Sequence, residues 1–355
     1  MQYSIAQDCN DDVLLEVLRG LSSHDLTSAA CLCHSWLHAS RTLLYRHIHL
    51  NTSIPAATQL DWSLRSSSHL RSLVRYLVLL HRFTDKDTLL GWIALLPEHS
   101  LVSVKFEWMP LDVNPMSLLQ FPAIRTAQEL IISHPYFLLQ EPRRLSDILS
   151  YPRLDRLTLF IPKSISVQLS TPLALTRLSL AVLTGEQPQI VDDVLRSISH
   201  PLVHLDLLLQ SLNAEAASWL RSSLARHLPA LRHFTIKVLD QRNAHPLLDD
   251  VSASLASVEV LSCGVAMYSP RLFALLPPSL RSLTLGTRDH ELFPVAELSD
   301  AVSRLGSGGG RLRSLTIGRH PSYASYRYFD ALSSTCATLG VSFKIAKPRI
   351  ADHFL

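Results

Sequence analysis

This 355-residue sequence has no cysteine framework: Cys9, Cys31, Cys33, Cys263 and Cys336 are an odd number at irregular spacing. That usage suits a reducing compartment rather than a disulfide-stapled secreted domain. Cys31, Cys33, His34 and His38 lie close together in sequence. Positions two apart on a helix point to different sides, and no second Cys/His pair follows at finger-like spacing. Packing cysteines are therefore expected, and no metal. Long apolar runs are also missing. Clusters such as Leu77 to Leu80 are short and flanked by Arg75 and His81, far below the ~20 residues of a membrane span. The N-terminus has no basic segment followed by an apolar stretch, so no secretory signal is expected. With a net charge of +3 and a pI of about 8.6, the charge balance is too mild to require nucleic acid. Cytoplasmic and/or nuclear residence is the expectation, and the basic tail from Lys344 to Arg349 is only a feeble import-like signal.

Catalytic signatures are equally scarce. The run Gly306-Ser307-Gly308-Gly309-Gly310 lacks a Gly-Lys-Ser/Thr ending and follows a helical pattern rather than a strand, so it reads as a helix stop. The acidic pairs Asp192-Asp193 and Asp249-Asp250 sit in or near helical patterns and read as solvated faces. No H-E-x-x-H or G-x-S-x-G motif occurs among the scattered histidines and serines. Neither an enzyme nor a cofactor is expected.

What the chain has in excess is leucine, roughly one residue in five, an unusual bias against average composition. Apolar content is 47%, enough for a sizeable core, and the length corresponds to about two domains. Near the start, Val13, Leu14, Val17, Leu18 and Leu21 recur at helical spacing. Asn10 is a good N-cap, and Asp11 and Asp12 place negative charge on the first turn. Ser22 or Ser23 can cap a second helix carrying Leu26, and Cys33 and Trp36 can share a face of a third. Three short helices cannot bury so much apolar surface among themselves, so an exposed stripe would mark a partner site.

From Cys9 to Trp36 this stretch resembles an F-box. Asp12 stands for the family's Glu, Val13 and Leu14 for its first aliphatic pair, and Val17 and Leu18 for the second. Leu21, Asp25-Leu26 and Leu32-Cys33-His34-x-Trp36 come next without gaps, while Cys9-Asn10 replaces the family's Leu-Pro. The resemblance implies that Cys9, Asn10, Asp12, Val13, Leu14, Val17, Leu18, Leu21, Leu26, Cys33 and Trp36 dock on a Skp-type adaptor, which in turn holds a cullin scaffold. The Leu-Tyr-Arg-His-Ile-His-Leu wording at 44–50 resembles the segment just after the F-box in many fungal proteins of this class. An ordinary helical cap on a larger domain is the plainer alternative.

Beyond residue 70 a hexad with apolar first, fourth and sixth positions keeps returning. Clear copies start at Leu154, Leu175, Leu202, Leu231, Leu280 and Leu312, with weaker ones at Val74, Leu101, Ala127, Leu255 and Gly340. Helical patterns lie between them: Pro188 to Ser199, a segment capped by Asn213, and Pro294 to Leu305. Alternating strand and helix with short connections implies a parallel sheet, and stacked copies share a core that one copy cannot close alone. The pattern resembles an irregular leucine-rich-repeat solenoid. The expected fold is α/β: a three-helix F-box at 1–50, a connector at 51–73 with a loop around Pro55, and a solenoid at 74–355 with a curved parallel sheet and helices on the convex side. The family's ninth-position Asn or Cys occurs only as Cys263; Pro162, Leu183, Gln210, Leu239, Arg288 and His320 stand elsewhere. A doubly wound domain is the rival, but its strands would be longer buried runs without a hexad.

Side chains alternate along a strand, so third, fifth and seventh positions line the concave face. Third positions read Arg156, Arg177, His204, His233, Ser257, Ser282 and Ser314. Fifth positions are small and polar, as in Thr158 and Ser179, except Asp206 and Glu259; Phe160, Leu208 and Leu261 are seventh-position apolar anchors. Arg156, Thr158, Phe160, Arg177, His204, Leu208 and His233 are thus candidates for holding a target protein with an acidic or phosphorylated segment. Arginines that are merely solvated are the other reading. The family resemblance implies a non-catalytic recognition subunit of a Skp–cullin–F-box type ubiquitin ligase, and a leucine-rich-repeat scaffold acting outside the ligase is the alternative.

Overall fold

The computed structural model describes residues 10–50, 54–80, 91–107, 118–133, 148, 150–161, 173–183, 187–242, 244–287, 293–307, 311–319 and 329–346. Cys9, the glycines at 308–310, Pro162, Arg288, His320 and the tail beyond Ala346 lie outside them. Packing divides the chain into two units, Met1–Phe137 with Tyr151–Leu154, and Leu138–Ser150 with Asp155–Leu355.

The first unit begins with three helices, α1 (Asp11–Leu18), α2 (Ser23–Ala29) and α3 (His34–Arg46). Asn10 Oδ1 accepts the Asp12 N–H at 3.2 Å, and Ser22 Oγ accepts the Asp25 N–H at 3.2 Å while donating to the Asp25 carboxylate at 2.7 Å. Both caps satisfy amides that the first helical turn leaves open. Cys33 sits at the N-cap of α3 rather than on its face. Leu14, Leu18, Leu26, Ala29 and Ala39 form the helical core, with Leu15, Trp36, Leu43 and Leu44 packed against it.

Strand β1 (His47–Leu50) follows directly, then α4 (Ile54–Ser66), α5 (Ser68–Leu73), β2 (Tyr76–Leu79), β3 (Ser103–Phe106), α6 (Pro122–Arg125) and β4 (Glu129–Ile132). The four strands pair in parallel in chain order. One expectation is corrected here: Pro55 occupies the start of α4, where a missing N–H costs no hydrogen bond, rather than a loop. Strand β1 pairs with β2 as part of the sheet.

The second unit contains β5 (Arg156–Ile161), β6 (Arg177–Val182), α7 (Gln187–Ser197), β7 (His204–Leu209), α8 (Ala214–Leu224), β8 (His233–Val238) and α9 (Leu247–Val251). It continues with β9 (Val260–Cys263), α10 (Arg271–Leu275), β10 (Ser282–Thr287), α11 (Val295–Gly306), β11 (Ser314–Arg319), α12 (Asp330–Thr338) and β12 (Ser342–Ala346). All eight strands are parallel and pair in strict chain order. The fold is an α/β leucine-rich-repeat-type solenoid. Fourth- and sixth-position residues such as Leu157 and Leu159 or Leu205 and Leu207 are buried, as are helix residues such as Val194, Leu195 and Leu220. Each such burial contributes about 1.5–3 kcal/mol. Among the described residues no helix is long and apolar enough to cross a membrane.

A regular backbone device locks one repeat to the next. The second-position carbonyl accepts two N–H groups from the following repeat: Asp155 O from Thr176 and Arg177, Val203 O from Arg232 and His233, and Arg281 O from Arg313 and Ser314. Side chains supply further staples. Asp192 is buried, held by Arg196 at 2.7 Å and Ser223 Oγ at 2.8 Å, and Asp249 accepts the Ser269 N–H at 3.1 Å. These two carboxylates, expected on solvated faces, are instead ties between neighbouring repeats. Buried His227 takes the Leu202 N–H on Nδ1 at 3.3 Å and places Nε2 3.2 Å from the Leu195 carbonyl.

Burial depresses the His227 imidazole, Arg226 adds to that, and the Leu195 carbonyl opposes it without prevailing. A histidine depressed in the fold binds fewer protons than in the unfolded chain. Its contribution is complete above the unfolded value of about 6.5 and is lost as pH falls below it. Thermal melts between about pH 7 and pH 5 are expected to show falling stability, with a shallower fall in His227→Gln. An equal slope in the two proteins counts against this role.

Candidate interaction surfaces

Two surfaces stand out, one in each unit. In the head, α1 carries two stripes one residue apart. Leu14 and Leu18, 2% and 0% exposed, face α2 and α3, whereas Val13 and Val17 are 52% and 61% exposed. Leu21, just past the end of α1, is exposed as well, and so is Leu32 at 67%, between α2 and α3. Valines four apart share one helix face, so the head closes its own core and still leaves an apolar ridge in water.

The residues implied by the F-box resemblance therefore fall into distinct groups. Leu14, Leu18, Leu26 and the partly buried Trp36 hold the three helices together. Val13, Val17 and Leu21 lie outside, Asn10 and Asp12 are exposed at the first turn, and Cys33 is half-buried at the start of α3. Leu32 is not in that set, because the turn between helices has no periodicity to mark an apolar residue as surface or core.

In the second unit, strand register brings the third-position residues into one row: Arg156, Arg177, His204, His233, Val260, Ser282, Ser314 and Ser342. The fifth-position row beside it reads Thr158, Ser179, Asp206, Thr235, Ser262, Thr284, Thr316 and Lys344. The repeat expected at Leu255 is corrected to Val258. Val260 is the Cα partner of His233, and the Glu259 carbonyl takes the second-position role by accepting from Arg281 and Ser282. In this frame Leu261 is the fourth-position core residue and Cys263 the sixth, and both are buried. Leu261 is thus no surface anchor, Ser257 lies before the repeat, and Cys263 is not a ninth-position residue. Burial in an apolar setting accordingly pushes the Cys263 thiol far up.

Leu208 is corrected too. With Ala181 it forms a small buried cluster that half-buried Phe160 and Leu183 pack against, so of the expected anchors Phe160 alone keeps apolar surface open there.

At the centre of the face lies Asp206, 6% exposed. Its Oδ2 accepts from Ser179 Oγ at 2.9 Å and pairs with His204 Nε2 at 2.8 Å. Burial alone would raise this carboxyl, but the hydrogen bond and charge of His204, with the hydroxyls of Thr235 and Ser179, outweigh it and hold the group below its ordinary value. The His204 and His233 rings stack at 5.2 Å with planes 23° apart. Burial, then the neighbouring His204 and Arg177, depress His233, while Glu259 and Asp206 pull the other way. Arg156 faces Asp155 at 3.6 Å, and Arg177 has no ion-pair partner among the described residues. Thr158 is half-buried and completes the fifth-position row at β5.

Among the described residues no three His, Cys, Asp or Glu side chains sit together as metal ligands. No family model and no curated protein matches the sequence. Among solved structures the chain is similar to the leucine-rich repeat-containing protein LegL7 from Legionella pneumophila, at 16% identity and a TM-score of 0.47, covering 76% of this chain and 89% of that one. It is also similar to a chain of the Rad7 and Elc1 complex in yeast, at 13% identity and a TM-score of 0.42, covering 97% of this chain and 98% of that one. Such low figures add nothing to the strand order described above.

Proposed function

We propose that this chain is a non-catalytic interaction scaffold, and more specifically the recognition subunit of a Skp–cullin–F-box type ubiquitin ligase. The head docks on a Skp-type adaptor that carries the cullin, and the strand face of the second unit holds the target protein. The observation that carries this reading is the uncovered Val13–Val17 stripe on a helical head whose own core is already closed. A self-sufficient head has no folding reason to keep that stripe apolar. The mechanism is proximity: holding an acceptor lysine beside a ubiquitin thioester raises its effective concentration, so no residue of this chain takes part in the chemistry. Such a subunit works in the cytoplasm and/or nucleus.

A scaffold bound to the adaptor outside the ligase is the second reading, favoured by one feature. Asn10 is engaged as the N-cap of α1 where the F-box pattern has an apolar pair at Cys9-Asn10. That exchange removes apolar contact area at one end of the ridge. Affinity purification of the full chain separates the two readings. Adaptor together with cullin is the expected result, adaptor without cullin establishes the scaffold, and recovery of neither defeats both.

A further inference from the structure

We propose that Arg177, His204 and His233 form a proton-linked site for a doubly charged oxyanion, of the phosphate-monoester or sulfate type, on the strand face of the second unit. The inference rests on that face being the surface that holds the target; it does not depend on the head.

The three residues are successive Cα partners on β6, β7 and β8. Neighbouring strands lie about 4.8 Å apart, so their side chains stand abreast over about 10 Å. The two imidazoles of the row are held without a ligand. His204 Nε2 is tied to Asp206, whose carboxylate also accepts from Ser179, and the His233 ring is stacked on His204. Donors held by a buried carboxylate lose little freedom on binding, which is the condition for a site rather than a loose charged patch.

Charge decides what the site takes. Arg156 faces Asp155, and Arg232 and Arg281 share Glu259 at 3.7 and 3.3 Å, whereas Asp206 is taken by His204 and leaves Arg177 without an ion-pair partner among the described residues. A proton on His233 adds a second positive charge beside Arg177, and a dianion complements that pair better than a carboxylate does. An anion bound beside His233 reverses the effect of the neighbouring cations on that ring, so binding takes up a proton. By reciprocity, affinity then rises as pH falls.

The test is calorimetric titration of full-length protein with inorganic sulfate and with a phosphothreonine-centred peptide pool, at about pH 6 and about pH 8. Sulfate keeps both charges across that interval, so its pH dependence reports the protein alone. Sulfate affinity is expected to rise at least about fivefold on acidification. Arg177→Ala weakens it by about tenfold, His233→Ala removes most of the pH dependence, and Arg221→Ala on α8, exposed and off the row, changes neither. Peptide bound more tightly than sulfate identifies a phosphorylated protein segment as the occupant, and equal affinity identifies a small free anion. Absence of saturable binding at tens of millimolar, an affinity independent of pH, or an unchanged affinity in Arg177→Ala overturns the site. If the target is captured on this face with no effect of Arg177→Ala, the oxyanion site fails while the scaffold reading stands. If adaptor binding fails while sulfate binds as expected, the reverse holds.

Discussion

Replacing Leu14 and Leu18 together by aspartate unfolds the three-helix head, whereas Val13→Asp with Val17→Asp leaves it folded. The four residues lie close together on one helix, and hydropathy does not distinguish them; only burial does. Loss of each buried leucine side chain costs about 2–5 kcal/mol through lost packing, and an unpaired carboxylate in its place adds a desolvation penalty. The core that must absorb this has five buried residues, none of them aromatic, with half-buried Trp36 at its edge. The valines meet mostly water, so aspartate costs little at either position; the helix dipole favours its charge at Val13 in the first turn and opposes it at Val17 in the last, each by about 0.5 kcal/mol. Helical circular dichroism and Trp36 fluorescence provide the readout. An intact head in the leucine pair, or a collapsed one in the valine pair, contradicts the placement of α1.

Leu261→Ala is expected to destabilise the second unit by about 2–5 kcal/mol, while Val260→Ala costs far less. Leu261 is fully buried at the fourth position of its repeat, with Phe234 and Leu283 as its Cα partners on β8 and β10. Val260 is half-exposed in the row that includes His233 and Ser282. The frame that starts at Leu255 makes the opposite prediction, because it puts Leu261 on the open face. Denaturant midpoints of the two variants therefore choose between frames, and near-equal midpoints refute the frame described here.

The ambiguity at Leu255 shows where a sequence reading of this fold reaches its end. Leu255-x-x-Val258-x-Val260 and Val258-x-x-Leu261-x-Cys263 both satisfy the hexad, so apolar spacing alone does not choose between them. What separates them is the turn before the repeat. The N–H of Val258 bonds the carbonyl of Leu255, just as Leu154 bonds Tyr151, Leu231 bonds Leu228 and Leu280 bonds Pro277. Leu255 belongs to that turn, and no side-chain pattern says so. The six clear copies were legible because large apolar residues, mostly leucine, fill all their first, fourth and sixth positions, and their strands begin at the expected third residue. The short strand at His47–Leu50 is legible as a strand, but the hexad it belongs to, Tyr45-x-x-Ile48-x-Leu50, is not, because an aromatic opens it and it overlaps the end of α3. Its Arg46 carbonyl nevertheless accepts from Arg75 in the next repeat.

The candidate surfaces were legible to different depths. Strand alternation brought Arg156, Arg177, His204 and His233 into one row, and the register bears that row out. The burial of Asp206 and its bonds to Ser179 and His204 depend on distances across strands, which periodicity does not contain. In the head, the stripe from Val13 to Leu21 was visible as apolar, but its division into core and ridge was not. A helix with apolar residues in adjacent pairs has two faces that hydropathy treats alike, and only the position of α3 decides which is covered.

The most direct measurement is the affinity of a purified Skp-type adaptor for the full-length chain, taken with the folded Val13→Asp/Val17→Asp variant as its partner experiment. The account predicts micromolar or tighter binding by the unaltered chain and a loss of about a hundredfold or more in the variant, since a desolvated apolar contact cannot accept two carboxylates. Equal binding by the two proteins, or no binding by either, contradicts it.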